Sequence, residues 1–359
     1  MSVKVDYKSA GVDIEAGNEA VRRMKSHVAK THSTAVLTGL GSFGTMFSLG
    51  DAVKGMSDPV MVQSTDGVGT KTKVTVMAAQ AAGADAGKYY ELLGRDLVAA
   101  VAGDIAVMGA RPLTFLDYLG LHKTDPAIVE RLVKGMSEAC AEAEIALVGG
   151  ETAEMPAVYS EGELDVVGFV TGVVEREKVI TGAGIVDGDV LYGVSSTGLH
   201  TNGWSLARKL LFEMNGFAID EAMEELDGKT LADVLLQPHA NYVMPIRRAL
   251  DAGVAIKGMA HITGGGLVEN VPRVLPDGLG AVIDMSSWTP QPIFGLMQRL
   301  GSIETLEMNR AFNMGVGLVV IGAAGLEKKL AEAMKPFAVW ELGVVKSGVD
   351  GVVLDGVTA

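Results

Sequence analysis

The sequence predicts a mixed α/β protein built from two domains. Its 359 residues are about twice the roughly 150 residues of a typical domain. Apolar residues make up 48% and charged residues 21% of the chain, close to the globular average. Short β-like runs alternate with helical patterns along the whole length, as in mixed α/β folds. The polar, turn-rich segment 175–189 begins the second unit, so we predict an N-terminal domain at residues 1–174 and a C-terminal domain at residues 175–359.

Composition and charge disfavour two classes of partner. The 30 Lys and Arg residues and 44 Asp and Glu residues give a net charge of −14, which opposes binding to nucleic acid or anionic lipid. No stretch approaches the roughly 18 uninterrupted apolar residues of a membrane span, and the first residues are polar where a signal peptide is apolar. We expect a cytoplasmic protein with no nucleic-acid or membrane partner. Cys140 is the only cysteine, which excludes an intrachain disulfide.

The N-terminal domain is predicted to contain three helices and six short strands. Residues 96–108 show the clearest pattern, because Leu97, Val101 and Ile105 share one apolar face and Gly109 ends the helix. The predicted helices are residues 14–30, 96–108 and 126–142, and the predicted strands are residues 35–37, 45–49, 60–65, 113–119, 145–148 and 166–174.

The C-terminal domain is predicted to start with a strand directly after the polar segment. Apolar runs predict its strands, and turn signals separate them from helical patterns. The predicted strands are residues 190–195, 281–283, 315–321 and 338–345, and the predicted helices are residues 203–213, 240–252, 268–274 and 324–334.

A glycine-rich segment, residues 39–44, fits the pattern G-x-G-x-x-G, and Asp66 follows 22 residues later, where a dinucleotide-binding fold places its ribose-binding acid. That fold needs an intervening helix. Residues 45–59 contain two glycines and a proline without helical periodicity, so we predict an antiparallel strand pair instead. The loop is then either a simple hairpin turn or a cover for phosphates through its backbone N–H groups. The candidate phosphate-covering residues are Gly39, Gly41, Ser42, Phe43 and Gly44.

The segment STDGVGTK, residues 64–71, follows a predicted strand. A carboxylate at a strand end, backed by glycines and Lys71, suits Mg²⁺ and nucleotide phosphate. The segment is not a P-loop, because Lys71 follows Thr70 and the spacing G-x-x-x-x-G-K-[ST] fails. The competing interpretation of Asp66 is a turn residue that caps Gly67.

Acidic residues recur at strand ends and on one predicted helix. Asp96 and Asp104 lie about 80° apart on or beside the polar face of that helix. This pattern fits either a solvated face or a site that holds one or more Mg²⁺ ions. The remaining candidates for the acidic cluster are Asp66, Asp117 and Glu151.

Two turns of the C-terminal domain precede helices. In residues 195–203, hydroxyl and N–H groups at a helix start favour phosphate binding, and His200 is either a proton carrier or a solvated turn residue. In residues 261–266, three successive glycines are difficult to justify by packing and indicate backbone close to a ligand.

Eight segments resemble the phosphoribosylformylglycinamidine cyclo-ligase family, also called aminoimidazole ribonucleotide synthetase, in family order and over nearly the whole chain. LVGGETAEMP and HITGGGLVEN also distinguish it from selenophosphate synthetase, thiamine-phosphate kinase and the formylglycinamide amidotransferase. The segments are YKSAGVDIEAGN (7–18), GLGSFGT (39–45), STDGVGTK (64–71), GDIAVMGARPLTFLDY (103–118), LVGGETAEMP (147–156), STGLHTNGWSLARKLL (196–211), HITGGGLVENVPRVLP (261–276) and FNMGVGLVV (312–320).

The resemblance implies a ligase of de novo purine biosynthesis that uses ATP and Mg²⁺. Formylglycinamidine ribonucleotide plus ATP would give aminoimidazole ribonucleotide, ADP and phosphate, because phosphorylation turns the formyl oxygen into a leaving group. It also implies two α/β domains, with the N-terminal sheets joined into a barrel across a homodimer. Two alternatives stay open: a small-molecule kinase of the same fold, and a non-catalytic nucleotide-binding regulator.

The resemblance also implies roles for individual residues. The loop 39–44 would cover ATP, Lys71 would offset phosphate charge, and His200 would transfer a proton beside the substrate. The implied catalytic residues are His200, Lys71 and Asp66, and the implied metal ligands are Asp66, Asp104 and Glu151. The other implied contacts to ATP or substrate are Thr65, Gly67, Asp96, Thr197, Asn202, Thr263, Gly264 and Gly265.

One departure from the family concerns Ala102-Gly103-Asp104, where the family usually has Val-Asn-Asp. The missing amide side chain would have pointed into the nucleotide region. We therefore expect a roomier ATP site. We also expect Gly103→Asn to be tolerated, because Asn recovers part of the helix stability that Gly gives up.

Overall fold

The computed structural model describes residues 11–356, so residues 7–10 of the first family segment lie outside the described range. The α-helices of the N-terminal domain are α1 (Ile14–Ala29), α2 (Lys71–Ala82), α3 (Gly87–Ala106) and α4 (Pro126–Glu142), and its strands are β1 (Pro59–Gly67), β2 (Arg111–Leu121), β3 (Ala146–Glu154) and β4 (Leu164–Glu175). The strands form one sheet in the order β1-β4-β2-β3. Within the described residues of this domain, only β2 and β3 pair in parallel.

Two of these helices begin at side-chain caps. The Asp13 carboxylate accepts the backbone N–H of Ala16 before α1, and the Asp125 carboxylate accepts that of Ala127 before α4. Such caps satisfy N–H groups that have no partner within the helix, and Pro126 at the first position of α4 loses nothing because it has no N–H.

The two faces of the N-terminal sheet have different surroundings. On one face, Phe115 of β2 and Val101 of α3 pack against Gly168 of β4 and leave no room for a side chain there. The other face carries Met61, Leu116 and Phe169, whose exposed fractions are 65%, 38% and 43%. The sheet therefore has one face covered by helices and one open, apolar face that this chain covers only in part, where Ala52 packs on Val173.

Helices α3 and α4 cross at two glycines. A Cβ on Gly94 would lie 2.1 Å from the carbonyl oxygen of Leu132, and a Cβ on Gly135 would lie 1.9 Å from that of Glu91. These backbones approach closely because neither position carries a side chain. The crossing fixes α3, which carries Asp96, Gly103 and Asp104.

The C-terminal domain contains a six-stranded sheet in the order β10-β7-β9-β5-β8-β6, in which only β10 and β7 pair in parallel. Its strands are β5 (Val190–Ser195), β6 (Ile256–His261), β7 (Leu279–Asp284), β8 (Val316–Gly322), β9 (Val339–Ser347) and β10 (Val352–Asp355). Its helices are α5 (Trp204–Arg208), which continues as a π-helical turn (Lys209–Met214), α6 (Leu231–Leu235), α7 (Val243–Asp251), α8 (Gly266–Asn270), α9 (Pro292–Gly301), α10 (Thr305–Ala311) and α11 (Glu327–Ala333).

The predicted class, a mixed α/β protein with mixed sheets in two domains, is confirmed. Strand β4 ends at Glu175 and the next strand begins at Val190, so the two sheets are separated by the polar segment. The predicted strands at 35–37 and 45–49 are reduced to a single antiparallel bridge between Val36 and Phe47. Residues 45–66, all within the described range, contain no helix, which excludes the dinucleotide-binding arrangement. Among the described helices, none combines the length and apolarity needed to span a bilayer.

Candidate functional site

A cavity of about 900 Å³ lies in the N-terminal domain beneath the glycine-rich loop. The loop forms one wall, and β2, β3, α1 and α4 form the others. The lining is Gly17, Val21, Met24, Val28, residues 39–45, residues 116–118, Val133, residues 147–152 and Phe169. This volume falls within the range of small-molecule sites, and its mostly apolar walls suit a planar base.

The glycine-rich loop is held at its base and open at its tip. The Val36–Phe47 bridge closes it, and the Thr38 hydroxyl accepts the N–H of Met46 at 2.9 Å. A Cβ on Gly39, Gly41 or Gly44 would meet no other atom within 4 Å, so protein packing does not require glycine there. Gly41 alone has a backbone that favours glycine, with φ +101°. The small residues leave backbone N–H groups accessible above the cavity.

Asp117 and Glu151 lie in the wall of this cavity on opposite faces of the sheet. Asp117 pairs with Gly150, and Glu151 is the next residue along β3, so its side chain points the other way. Burial raises the pKa of the Asp117 carboxyl to about 7. Glu151 is exposed.

An acidic pair, Asp66 and Asp104, lies at the edge of the same sheet that β1 forms. Asp66 is the last residue but one of β1, and Asp104 of α3 accepts the Ser64 hydroxyl at 3.1 Å. Partial burial raises the pKa of Asp66, the N–H of Gly67 lowers it, and the Asp104 carboxylate raises it further. The Gly67 N–H donates to Asp66 at 2.7 Å, so the capping contact is present together with the charged neighbour.

The three predicted metal ligands do not form one cluster. Asp66 and Asp104 are neighbours, whereas Glu151 lies on the opposite face of the sheet, three strands away from β1. Within residues 11–356, no group of three or more His, Cys, Asp or Glu side chains is arranged to hold a metal ion. Of the three predicted ligands, the structure brings together Asp66 and Asp104 and leaves Glu151 apart. Thr65, also a predicted contact, alternates with Asp66 along β1 and points away from this pair.

Lys71 and Asp96 form a buried ion pair instead of lining a ligand site. Their charged atoms are 2.7 Å apart, and the side chains are 1% and 0% exposed. The Lys71 ammonium also donates to the carbonyl of Gln237, and Asp96 accepts the N–H of His239 at 2.6 Å. Burial lowers the pKa of Lys71 and raises that of Asp96, while their mutual attraction opposes both shifts. Lys71, predicted to contact phosphate, and Asp96, predicted to contact the cofactor, instead bind residues 237 and 239 of the C-terminal domain. We call this arrangement the interdomain clamp.

His200 is enclosed in the core between the domains. Its Nε2 accepts the N–H groups of Thr197 and Ala240, and its ring stacks on His239 with centroids 3.9 Å apart. Burial holds the pKa of His200 well below its usual range. Because the ring is 1% exposed and its Nε2 is occupied, this geometry does not support the predicted proton transfer.

The two predicted turns of the C-terminal domain meet each other. A Cβ on Gly264 would lie 3.2 Å from the side-chain oxygen of Asn202. The Asn270 amide donates to the carbonyls of Thr263, Gly264 and Gly266 and pins the second turn. Gly266 is explained by packing, because its Cβ would lie 1.9 Å from the carbonyl oxygen of Asn309, so the expectation that packing cannot justify the three glycines is corrected there. The predicted contact Asn202 therefore lies beside Thr263, Gly264 and Gly265, whereas the hydroxyl of Thr197, also a predicted contact, donates to the carbonyl of Pro238.

Two histidines at the domain interface were not assigned roles from the sequence. His261 Nδ1 lies 2.8 Å from Asp104, and His239 Nε2 lies 3.0 Å from His261 Nε2. His261 could have been found, because it opens the HITGGG segment after a strand. His239 carries no sequence signal, since it follows Pro238 in a loop of no recognisable motif.

The expectation of a roomier site above Gly103 is wrong. A Cβ on Gly103 would lie 2.7 Å from Cε1 and 3.1 Å from both nitrogens of His261. The imidazole ring of His261 fills the space above Gly103 in which the sequence predicts a ligand. Gly103→Asn is therefore expected to displace His261 rather than to be neutral.

Solved structures with the same fold belong to other proteins. The crystal structure of thiamine-monophosphate kinase from Stenotrophomonas maltophilia superposes with a TM-score of 0.65 at 19% identity, covering 95% of this chain and 97% of that chain. The hydrogenase maturation protein HypE in complex with ATP gives a TM-score of 0.62 at 14% identity, covering 93% and 90%. At these identities the likeness shows the fold alone.

Sequence relatives are much more similar. The family model for the N-terminal domain of AIR synthase related proteins matches residues 50–174. The model for their C-terminal domain matches residues 186–355. The phosphoribosylformylglycinamidine cyclo-ligase of Carboxydothermus hydrogenoformans is 46% identical over 357 residues, 98% of this chain and 99% of that protein. The Bacillus cytotoxicus enzyme of the same name is 49% identical over 314 residues, covering 88% and 87%. The chain therefore belongs to the phosphoribosylformylglycinamidine cyclo-ligase family.

Proposed function

We propose that this chain catalyses the ATP-dependent cyclisation of formylglycinamidine ribonucleotide to aminoimidazole ribonucleotide, with release of ADP and phosphate, in purine biosynthesis. Family membership over nearly the full length of the chain carries the proposal. The enzyme is then a ligase that forms a C–N bond within its substrate, and we propose that it works in the cytoplasm.

The cavity under the glycine-rich loop supports the ATP part of the proposal. Its apolar walls accept the base, and the loop N–H groups cover phosphates.

The acidic pair fits a Mg²⁺ ion that arrives with the nucleotide. Mg²⁺ is usually held by one or two carboxylates plus substrate phosphates, and the described residues offer such a pair in Asp66 and Asp104. The Asp104 carboxylate disfavours the charge of Asp66, and a bound cation would relieve that repulsion. When bound, Mg²⁺ neutralises charge on the transferring phosphoryl group.

The paired turns of the C-terminal domain support the substrate part of the proposal. Thr263 follows Ile262 after His261, which contacts Asp104, so the turn at 263–265 adjoins the acidic pair. Asn202 and Gly264 hold the two turns together. A ribonucleotide bound there would present its formyl oxygen beside the nucleotide phosphate whose Mg²⁺ Asp66 and Asp104 would hold.

We also propose that two copies associate through the open face of the N-terminal sheet, joining their sheets into a barrel. Met61, Leu116 and Phe169 leave an apolar surface there. Such patches on a protein surface mark interaction sites.

The test is conversion of formylglycinamidine ribonucleotide by purified protein with ATP and Mg²⁺. We expect aminoimidazole ribonucleotide, ADP and phosphate in equal amounts and no turnover in excess chelator. A stable phosphorylated product without ring closure would identify a kinase. ATP binding without substrate-dependent ADP release would identify a regulator, and either result would overturn the proposal.

A further inference from the structure

A chain of hydrogen bonds runs from the interdomain core to the acidic pair. His261 Nδ1 contacts Asp104 at 2.8 Å, and His261 Nε2 contacts His239 Nε2 at 3.0 Å. His239 Nδ1 in turn contacts the hydroxyl of Thr201 at 3.3 Å. Both imidazoles are buried, with 6% and 3% of His261 and His239 exposed, so neither ring exchanges its partners for bulk water.

The donors in this chain can be assigned in order. A carboxylate oxygen accepts, so the Nδ1–H of His261 donates to Asp104. With one proton on each imidazole, the Nε2 of His261 accepts and the Nε2–H of His239 donates. His239 Nδ1 is left to accept the hydroxyl proton of Thr201. Each histidine is thereby fixed in one tautomer and one ring orientation.

Gly103 makes room for this arrangement. Position 103 lies on α3 one residue before Asp104, and its Cβ would lie 2.7 Å from the His261 ring. Carbon atoms do not approach so closely, and the ring is rigid, so any side chain at 103 moves His261 away from Asp104.

The loop that carries His239 is held in place by two residues of the N-terminal domain. Lys71 donates to the Gln237 carbonyl at 3.1 Å, and Asp96 accepts the His239 N–H at 2.6 Å. Both anchors belong to the N-terminal domain, whereas the loop belongs to the C-terminal domain. The position of His239 is therefore set by the buried ion pair.

We propose that His239 and His261 are positioning residues for Asp104, and that Gly103 is the position on α3 that admits the His261 ring. The hydrogen bond from His261 engages Asp104 Oδ1, so the carboxylate is oriented with Oδ2, which also accepts the Ser64 hydroxyl, as the oxygen for a ligand. Only the effect on turnover rests on the proposed function. The tautomers and the steric coupling are properties of the protein by itself.

The kinetic test is a double-mutant cycle between positions 103 and 261. Gly103→Ala is expected to lower kcat/KM for ATP by about 10–100-fold, as partners of a ligating side chain commonly do when lost. In a His261→Asn background the ring is absent, so adding Gly103→Ala is expected to change nothing further. Gly295→Ala in α9 is the control, because its Cβ meets no atom within 4 Å. Equal effects of Gly103→Ala in both backgrounds would overturn the proposal.

The structural test uses imidazole ¹⁵N spectra of the full-length protein. The chain has six histidines, and the signals of His239 and His261 are assigned by their loss in the Asn variants. We expect an Nδ1–H tautomer for His261 and an Nε2–H tautomer for His239, both lost or mixed in Gly103→Ala but retained in Gly295→Ala. The opposite tautomer, or a mixture, in the unsubstituted protein contradicts the proposal even if cyclisation is observed. The expected tautomers without cyclisation would leave the positioning pair intact and refute the proposed function.

Discussion

Lys71 shows that a lysine after a glycine-rich strand end has two possible roles, a phosphate contact or a buried ion pair. Next to a strand end rich in glycine it suggests a phosphate contact, yet its ammonium lies between Asp96 and the Gln237 carbonyl. Burial of a charge is costly unless it is paired and hydrogen-bonded, and here both conditions are met. The pair therefore ties the two domains together in their shared core.

Removing one partner of this pair is expected to destabilise the protein strongly. Lys71→Met leaves Asp96 buried without its counter-charge, which costs about 3–5 kcal/mol in comparable sites. Arg247→Met is the control, because the Arg247–Glu144 pair also crosses the domain interface but is 37% and 61% exposed. An exposed pair contributes about 0.2–1 kcal/mol. Urea unfolding measures both, and equal losses would show that the buried pair is not a clamp.

Asp117 makes the stability of the protein depend on pH. Burial raises its pKa from an ordinary 3.8 to about 7. Between about pH 4 and about pH 7 the folded state therefore binds the proton more than the unfolded state does, and stability falls as the pH rises through that window. Asp117→Asn removes this loss. We expect the Tm of the variant relative to the unsubstituted protein to be higher above pH 7 than at the acid end of the window.

Asp350→Asn, at an exposed position of the C-terminal domain, is the control for this pH series. It is expected to leave the pH dependence unchanged. A pH-independent difference between Asp117→Asn and the unsubstituted protein would mean that Asp117 is charged in the folded state throughout.

At the scale of elements, the crossing of α3 and α4 depends on two glycines. Gly94→Ala is expected to destabilise by at least about 1–3 kcal/mol, because the new methyl group would overlap the Leu132 carbonyl. Gly17→Ala in α1 meets no atom within 4 Å and is expected to stabilise by about 0.5–1 kcal/mol through helix propensity alone. Thermal unfolding distinguishes the two signs, and a stabilised Gly94→Ala would show that the helices can separate without cost.

The same glycine explains part of what the sequence could not predict. Glycine is interpreted as a helix breaker, so the helix was expected to begin at Asp96, whereas α3 begins at Gly87 and uses Gly94 for contact. Helix α2 was missed because its apolar residues surround it and show little one-sided pattern. Regular helices such as α4, with an Asp cap, a proline and a clear stripe, were predicted at both ends.

The site was predictable where motifs end strands and unpredictable where side chains meet across the domains. The glycine-rich loop and Asp66 lie at open surfaces, as their local sequence suggested. The contact of Lys71 with Gln237, that of His200 with Ala240 and that of Gly103 with His261 each join residues more than 35 positions apart. Spacing along one segment contains no information about such partners.

At the scale of the whole molecule, the open face of the N-terminal sheet predicts a homodimer at micromolar concentration. Met61→Glu places a charge on that face outside the cavity and is expected to shift the protein to a monomer in sedimentation, because a carboxylate in an apolar interface is desolvated without a partner. Val353→Glu in β10 is the control, since Val353 is an exposed apolar strand residue, at 47%, that lies in the other domain. An unsubstituted protein that sediments as an active monomer would refute the dimer.

The clamp between the domains has a consequence for exchanging parts among relatives. A chimaera joined in the segment 176–189 would take α3 from one parent and the loop 237–241 from the other. The Lys71–Asp96 anchors, the gap at Gly103 and the two histidines would then come from different lineages, although each is shaped by the others. Grafts that carry position 103 together with residues 237–241 and His261 are expected to fold and exchange freely, whereas grafts that divide this set inherit either a clash or an unfilled space.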